Sequence, residues 1–219
     1  ETNKAQASKA FQLATAVAQK AQDAESEAAA YYNWGNLIST MGDYQSALEY
    51  LEQSLALRRK LPDQVELAKV LNNLAAMCQN LGLYQRALAA YEETLPLKQQ
   101  SLQADPTNAE LKRSLANTLV NIGRFHRILG NYPLALQHTA RGLQIYRELN
   151  NQPSMASALN EQGYIQFEMG APEKATDSFR QALTYTVPHS EPRAQILNNL
   201  GQVYLQLGKL TEAVEACQE

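Results

Sequence analysis

The chain has 219 residues, is 45% hydrophobic and 19% charged, and carries a net charge of −3. That is enough apolar material for a real core and excludes ordinary disorder, while the lack of a basic field argues against nucleic acid and against a membrane surface. No apolar run approaches the ~20 residues that span a bilayer, and Cys78 and Cys217 share no zinc-type spacing, so a reducing, cytoplasmic setting with no metal and no cofactor is expected.

In chain order, residues 4–22 read as a helix, and helical pairs follow at 28–41 and 44–60, 65–81 and 84–103, 108–129 and 132–149, 153–169 and 172–186, then 191–207 and 210–219. The apolar spacing fits 3.6 residues per turn throughout, and no Asn-Gly hairpin or Val/Ile-rich strand run interrupts it. Pro62, Pro106, Pro153 and the Pro188–Pro192 stretch fall between pairs, where prolines are tolerated. Pro96 lies inside the 84–103 span and is expected to kink it. Ala7, Phe11 and Ala14 match Ala47, Leu51 and Ser54 at an offset of 40 residues, so 4–22 reads as the second helix of an earlier pair. The domain expected is one array over 1–219, with a half repeat at 4–22 and repeats at 28–61, 65–103, 108–149, 153–186 and 191–219, cut from a longer protein.

The ten glycines carry this reading. Gly42, Gly82, Gly130, Gly170 and Gly208 recur at spacings of 40, 48, 40 and 38 residues, which is the period of stacked supersecondary units. Seven residues before four of them stand Gly35, Gly123, Gly163 and Gly201, with Ala75 in the remaining repeat. Five residues after them come Ala47, Ala87, Ala135, Ala175 and Ala213, and twelve after come Ser54, Thr94, Gly142 and Ala182. A recurrent glycine suits the left-handed residue that closes a helix, and the small residues suit a close crossing of two helices.

The frame resembles the tetratricopeptide repeat over essentially the whole chain. The fragments that carry the resemblance are Tyr31-Tyr32-Asn33-Trp34-Gly35 with Gly42-Asp43-Tyr44 and Ala47, and Leu197-Asn198-Asn199-Leu200-Gly201 with Tyr204 and Gly208. The period exceeds the common one of about 34 residues. With Leu71-Asn72-Asn73-Leu74-Ala75, this long-repeat form is similar to kinesin light chain repeats. It is also similar to bacterial and cyanobacterial arrays that precede CHAT-type protease or signalling domains, and the phrase Ala104-Asp105-Pro106-Thr107-Asn108-Ala109-Glu110 suits the bacterial arrays. The resemblance implies an all-α, right-handed α-solenoid of about eleven helices, whose first helices line a concave side.

Nine residues before the turn glycine stand Asn33, Asn73, Asn121, Glu161 and Asn199. Asparagine is a mediocre helix former, so propensity does not explain the row. Each amide offers donors and an acceptor, and a row of them suits the backbone of an extended peptide. In the resembling long-repeat proteins an asparagine ladder at this slot does that, which implies the same role for Asn33, Asn73, Asn121 and Asn199. The alternative reading is that these asparagines bond neighbouring helices and bind nothing. Asn36, Lys69, Asn117, Arg124 and Tyr164 are expected on the same groove, the two cations for acidic groups and the tyrosine as an apolar anchor. The resemblance does not favour a C-terminal carboxylate ligand, because Tyr32 stands where a carboxylate clamp carries lysine.

No catalytic residue is expected. His126, His138 and His189 lack ligand spacing, Cys78 and His126 share a slot on neighbouring repeats too far apart for a dyad, and no phosphate or nucleophile-elbow motif occurs. The expected function is a non-catalytic scaffold for a protein or extended peptide. The alternative is a structural or regulatory arm of a larger CHAT-type or signalling protein that works through its ends or convex side. Self-association through the last helix, where Ala213, Val214 and Cys217 lack cover, is a further expectation.

Overall fold

A computed structural model describes residues 2–218, with side chains from residue 6 onward. It contains eleven helices and, among the described residues, no strand. They are α1 (Thr2–Lys20), α2 (Ala24–Thr40), α3 (Tyr44–Arg58), α4 (Gln64–Asn80), α5 (Tyr84–Ala104), α6 (Ala109–Ile128), α7 (Tyr132–Glu148), α8 (Gln152–Glu168), α9 (Pro172–Leu183), α10 (Glu191–Gln206) and α11 (Leu210–Gln218). The expected all-α fold of paired helices is therefore present. The chain falls into two compact units, Glu1–Ser101 and Leu102–Glu219, divided within the last turn of α5.

The helix ends follow local chemistry. All five turn glycines have φ between 71° and 83°, the left-handed conformation that a side chain opposes. Gly82, Gly130, Gly170 and Gly208 close their helices in the Schellman pattern: at Gly82 its own N–H reaches the Gln79 carbonyl at 3.1 Å, and the N–H of Leu83 reaches the Cys78 carbonyl at 2.8 Å. Asp43 then starts α3 by accepting the N–H of Ser46 at 3.1 Å. The same capping moves one sequence boundary. α2 begins at Ala24 rather than 28, because Asp23 accepts the N–H of Ser26 at 3.0 Å and the hydroxyl of Ser26 at 2.6 Å. At the other extreme α9 stops at Leu183, short of 186, where the N–H groups of Tyr185 and Thr186 turn to carbonyls three residues back. α5 runs through Pro96 as one element.

In unit 1, α2 packs on α1, α3 and α4, and α3 on α4. Leu51, Val70, Leu71 and Leu74 are buried between them, and Phe11 of α1 stacks on Trp34 with ring centroids 5.0 Å apart. In unit 2, consecutive helices from α6 to α10 contact one another, as do α10 and α11, and the first helices α6, α8 and α10 also touch side by side. Its core includes Leu143, Leu159, Phe179, Leu200 and Val203. Leucines at matching slots, Leu71, Leu119, Leu159 and Leu197, are all buried, each contributing roughly 1.5–3 kcal/mol of burial free energy.

The small residues lie at helix crossings, as their spacing predicts. A Cβ built on Gly35 would lie 3.1 Å from the Ala47 carbonyl oxygen and from Leu51 Cγ, and one on Gly142 would lie 3.0 Å from the Ala116 carbonyl oxygen. Ser54, in the slot of Gly142, uses its smallness differently: its hydroxyl donates to the Ala28 carbonyl at 2.8 Å inside the core.

Candidate functional site

The asparagine row lies on the first helix of each pair, and its residues differ in what they touch. In unit 1, Asn73 of α4 donates through Nδ2 to Asn36 Oδ1 at 2.8 Å and to the Tyr32 hydroxyl at 3.0 Å, both on α2. In unit 2, Asn199 of α10 donates to Asn160 Oδ1 at 2.9 Å and accepts the Tyr164 hydroxyl at 2.6 Å, both on α8. Glu161, which interrupts the row, is 5% exposed and receives Arg127 Nε at 2.7 Å and Arg124 Nε at 3.3 Å from α6.

These bonds obey one rule. The residue nine before a turn glycine pairs with the residue six before the turn glycine of the preceding repeat: Asn73 with Asn36, Glu161 with Arg124, Asn199 with Tyr164. The separations are 37, 37 and 35 residues, about one repeat. In these pairs, then, the row joins neighbouring first helices. Each such hydrogen bond contributes about 1 kcal/mol net when its partner is present, and costs more when a partner is removed from a buried site.

Other row members behave otherwise. Asn33 is exposed and Asn121 half-buried, and neither amide has a hydrogen bond among the described residues. Lys69, expected to meet a partner's acid, binds Glu66 one turn earlier on α4 at 2.5 Å. Asn117 accepts the hydroxyl of Tyr146 on α7 at 2.5 Å, and desolvation pushes that phenol up to about 12. Arg124 and Tyr164 reach Glu161 and Asn199, so the proposed cationic and apolar anchors already have intramolecular partners.

Sequence reasoning missed Arg127, Glu168 and Asn160. Arg127 bonds Glu168 at 2.6 Å as well as Glu161, and its guanidinium lies 5.3 Å from the Tyr164 ring centroid. Burial pushes this guanidinium pKa down, but the two carboxylates more than reverse the shift and hold it above the ordinary arginine value. The signal that finds Arg127 and Glu168 is their charge: opposite signs stand 34 and 41 residues apart, about one repeat, on the first helices α6 and α8.

Away from the row, unit 1 has a cleft of about 360 Å³ between α3 and α5, floored by Leu71 and Leu74 of α4. Ala89 helps open it; other repeats carry Glu49, Gln137, Asp177 or Glu215 at that slot. Ion pairs Arg59–Glu93, at 2.7 Å, and Arg86–Glu52 line it. Being exposed, each contributes ~0–1 kcal/mol.

Lys98 of α5 holds its amine 3.4 Å from Asn72 Oδ1 of α4, and desolvation lowers its pKa from 10.5 to about 8. A lowered base destabilises the folded state wherever it must stay protonated. The penalty is therefore complete below pH 8, and stability rises as pH climbs from about 8 to 10.5, where the unfolded chain still holds the proton. Lys98→Met is expected to gain on the order of 1–3 kcal/mol at pH 7 and almost none at pH 10.5, measured by urea denaturation at both.

Comparison with known proteins resolves the family. Two family models, both described as tetratricopeptide repeat, match this chain, one over residues 26–100 and 114–186 and the other over 163–219. The chain belongs to the tetratricopeptide repeat family. No curated protein sequence matches it. Among solved structures, this tetratricopeptide repeat chain is similar to BtubC (BKLC) from P. vanneervenii, with 19% identity, 98% of this chain and 86% of that one covered, and a TM-score of 0.73. It is similar to the apo form of RapI, with 14% identity over 95% of this chain and 57% of that one, and a TM-score of 0.79. It is also similar to a Rap protein solved in complex with the competence and sporulation factor, with 20% identity over 88% of this chain and 52% of that one, and a TM-score of 0.70. Likenesses at these identities establish the fold, an α-solenoid of repeated helix pairs. No helix of the tetratricopeptide repeats, among the described residues, is long and apolar enough to cross a membrane.

Proposed function

We propose that this chain is a non-catalytic recognition module that binds an extended peptide, or an extended segment of a partner protein, along its first-helix faces. The observation that carries the reading is the pair of open amides, Asn33 in unit 1 and Asn121 in unit 2, at a slot whose other members are engaged. An asparagine amide can accept from a backbone N–H and donate to a backbone C=O at once. Secondary support comes from the similar Rap protein, whose structure holds a bound factor. A net charge of −3 favours neither nucleic acid nor a lipid surface as partner.

The test is selection of binders from a displayed library of random dodecapeptides, followed by fluorescence anisotropy. Asn121→Ala or Asn33→Ala is expected to weaken selected peptides about 3–10-fold, the loss of one or two hydrogen bonds, with the melting temperature little changed. A selection that yields no binder, or binders indifferent to both substitutions, would overturn the reading.

A further inference from the structure

Resting on the recognition reading above, we infer that the polar residue six before a turn glycine acts as a gate on the row. In unit 1, Tyr32 and Asn36 withhold the amide donors of Asn73 from a partner, and removing them would turn Asn73 into a two-sided contact for an extended backbone.

The geometry is specific. An extended peptide presents N–H and C=O groups together, so an amide that reads it from both sides needs a free oxygen and at least one free N–H. Asn73 has two N–H groups, and both are used, one on Asn36 Oδ1 at 2.8 Å and one on the Tyr32 hydroxyl at 3.0 Å. Only its oxygen remains, so Asn73 can accept from a partner but cannot donate. Asn199 is closed more completely: its oxygen takes the Tyr164 hydroxyl, its nitrogen serves Asn160, and it is 3% exposed. Glu161 has no donor at all, and its oxygens serve two arginines. The row therefore grades from open at Asn33 and Asn121, through half-open at Asn73, to closed at Glu161 and Asn199. What sets the grade at the paired positions is the residue one repeat back.

Tyr32 and Asn36 are both only half-buried, so they can be altered without opening a sealed core. The two bonds they receive from Asn73 are weak opponents. They hold donors that a partner carbonyl would otherwise take, and a neutral intramolecular bond contributes little net stability.

The experiment uses the full chain and a dodecapeptide from the selection above that loses affinity on Asn33→Ala, which places it against unit 1. Tyr32→Phe combined with Asn36→Ala is expected to tighten that peptide 3–10-fold. Adding Asn73→Ala to the pair is expected to abolish the gain, whereas Asn73→Ala alone should weaken binding less than Asn33→Ala does. Circular dichroism confirms that each variant is folded. Unchanged or weaker binding by a folded Tyr32→Phe/Asn36→Ala variant would overturn the gate while leaving the recognition reading intact, and so would a loss on Asn73→Ala alone as large as that on Asn33→Ala. If no selected peptide responds to Asn33→Ala, unit 1 takes no peptide through its row and the gate falls with it.

Discussion

Gly123→Ala is expected to destabilise the protein by about 2 kcal/mol, although alanine is the better helix former by roughly 0.5–1 kcal/mol. The reason is the crossing of α6 and α7. The added methyl would collide with Thr139 Oγ1 and lie 2.9 Å from the Ala135 carbonyl oxygen and 3.2 Å from the Thr139 nitrogen. The hydroxyl can turn aside, but the two backbone atoms cannot, so the helices must separate and the overpacking cost of ~1–3 kcal/mol exceeds the propensity gain. Thr139→Ala should restore part of the loss, because its hydroxyl is buried without a hydrogen-bond partner among the described residues and contributes little. The matched control is Gly201→Ala, at the same slot of the last repeat. There the methyl meets only Cys217 Sγ at 3.3 Å and the Ala213 carbonyl at 3.7 Å, so propensity wins and stability rises by about 0.5 kcal/mol. Thermal melts of both variants decide the matter: a Gly123→Ala protein as stable as wild type would show that the helices do not meet this closely.

Glu161→Leu is the second large effect, a loss of about 2–3 kcal/mol. Removing one member of a buried ion pair costs ~3–5 kcal/mol because the partner is left charged and unpaired. Arg127 keeps Glu168 and the Tyr164 ring, and Arg124 is 33% exposed, so the loss falls to the bottom of that range or just below it. Glu161→Gln, which keeps an acceptor but no charge, should cost about half as much. Arg127→Leu in the Glu161→Leu background should recover most of the loss, since an apolar pair replaces the ion pair without an orphaned cation. Chemical denaturation of the wild type, Glu161→Leu, Arg127→Leu and the double variant measures the coupling. A double variant no more stable than Glu161→Leu alone would show that the bridge from α6 to α8 is not what holds these charges.

The contrast between Gly123 and Gly201 also shows how far a repeat pattern can be read. Both occupy one slot, and spacing alone assigns them one role. Their different consequences arise from the residue nine after the turn glycine, Thr139 in one repeat and Cys217 in the other, and from how closely the paired helix approaches. The same holds for the asparagines. Asn33, Asn73, Asn121 and Asn199 are equivalent in the frame, yet one is exposed and another is 3% exposed with both ends of its amide bonded. The signal was in reach, because Asn36, Arg124 and Tyr164 also share a slot, but nothing in one chain's order says that two slots one repeat apart will face each other across neighbouring helices.

The sequence by itself determined the helix pairs, their turns and the crossings. Those depend on local physics, namely left-handed glycines, side-chain caps and the 3.6-residue spacing of apolar positions, which act within a few residues of each other. The reach of side chains between repeats was decided only by the tertiary structure. Whether an amide meets a tyrosine, another amide or open solvent depends on contacts some 35–41 residues away in sequence, set by how neighbouring helices pack, which no local preference encodes.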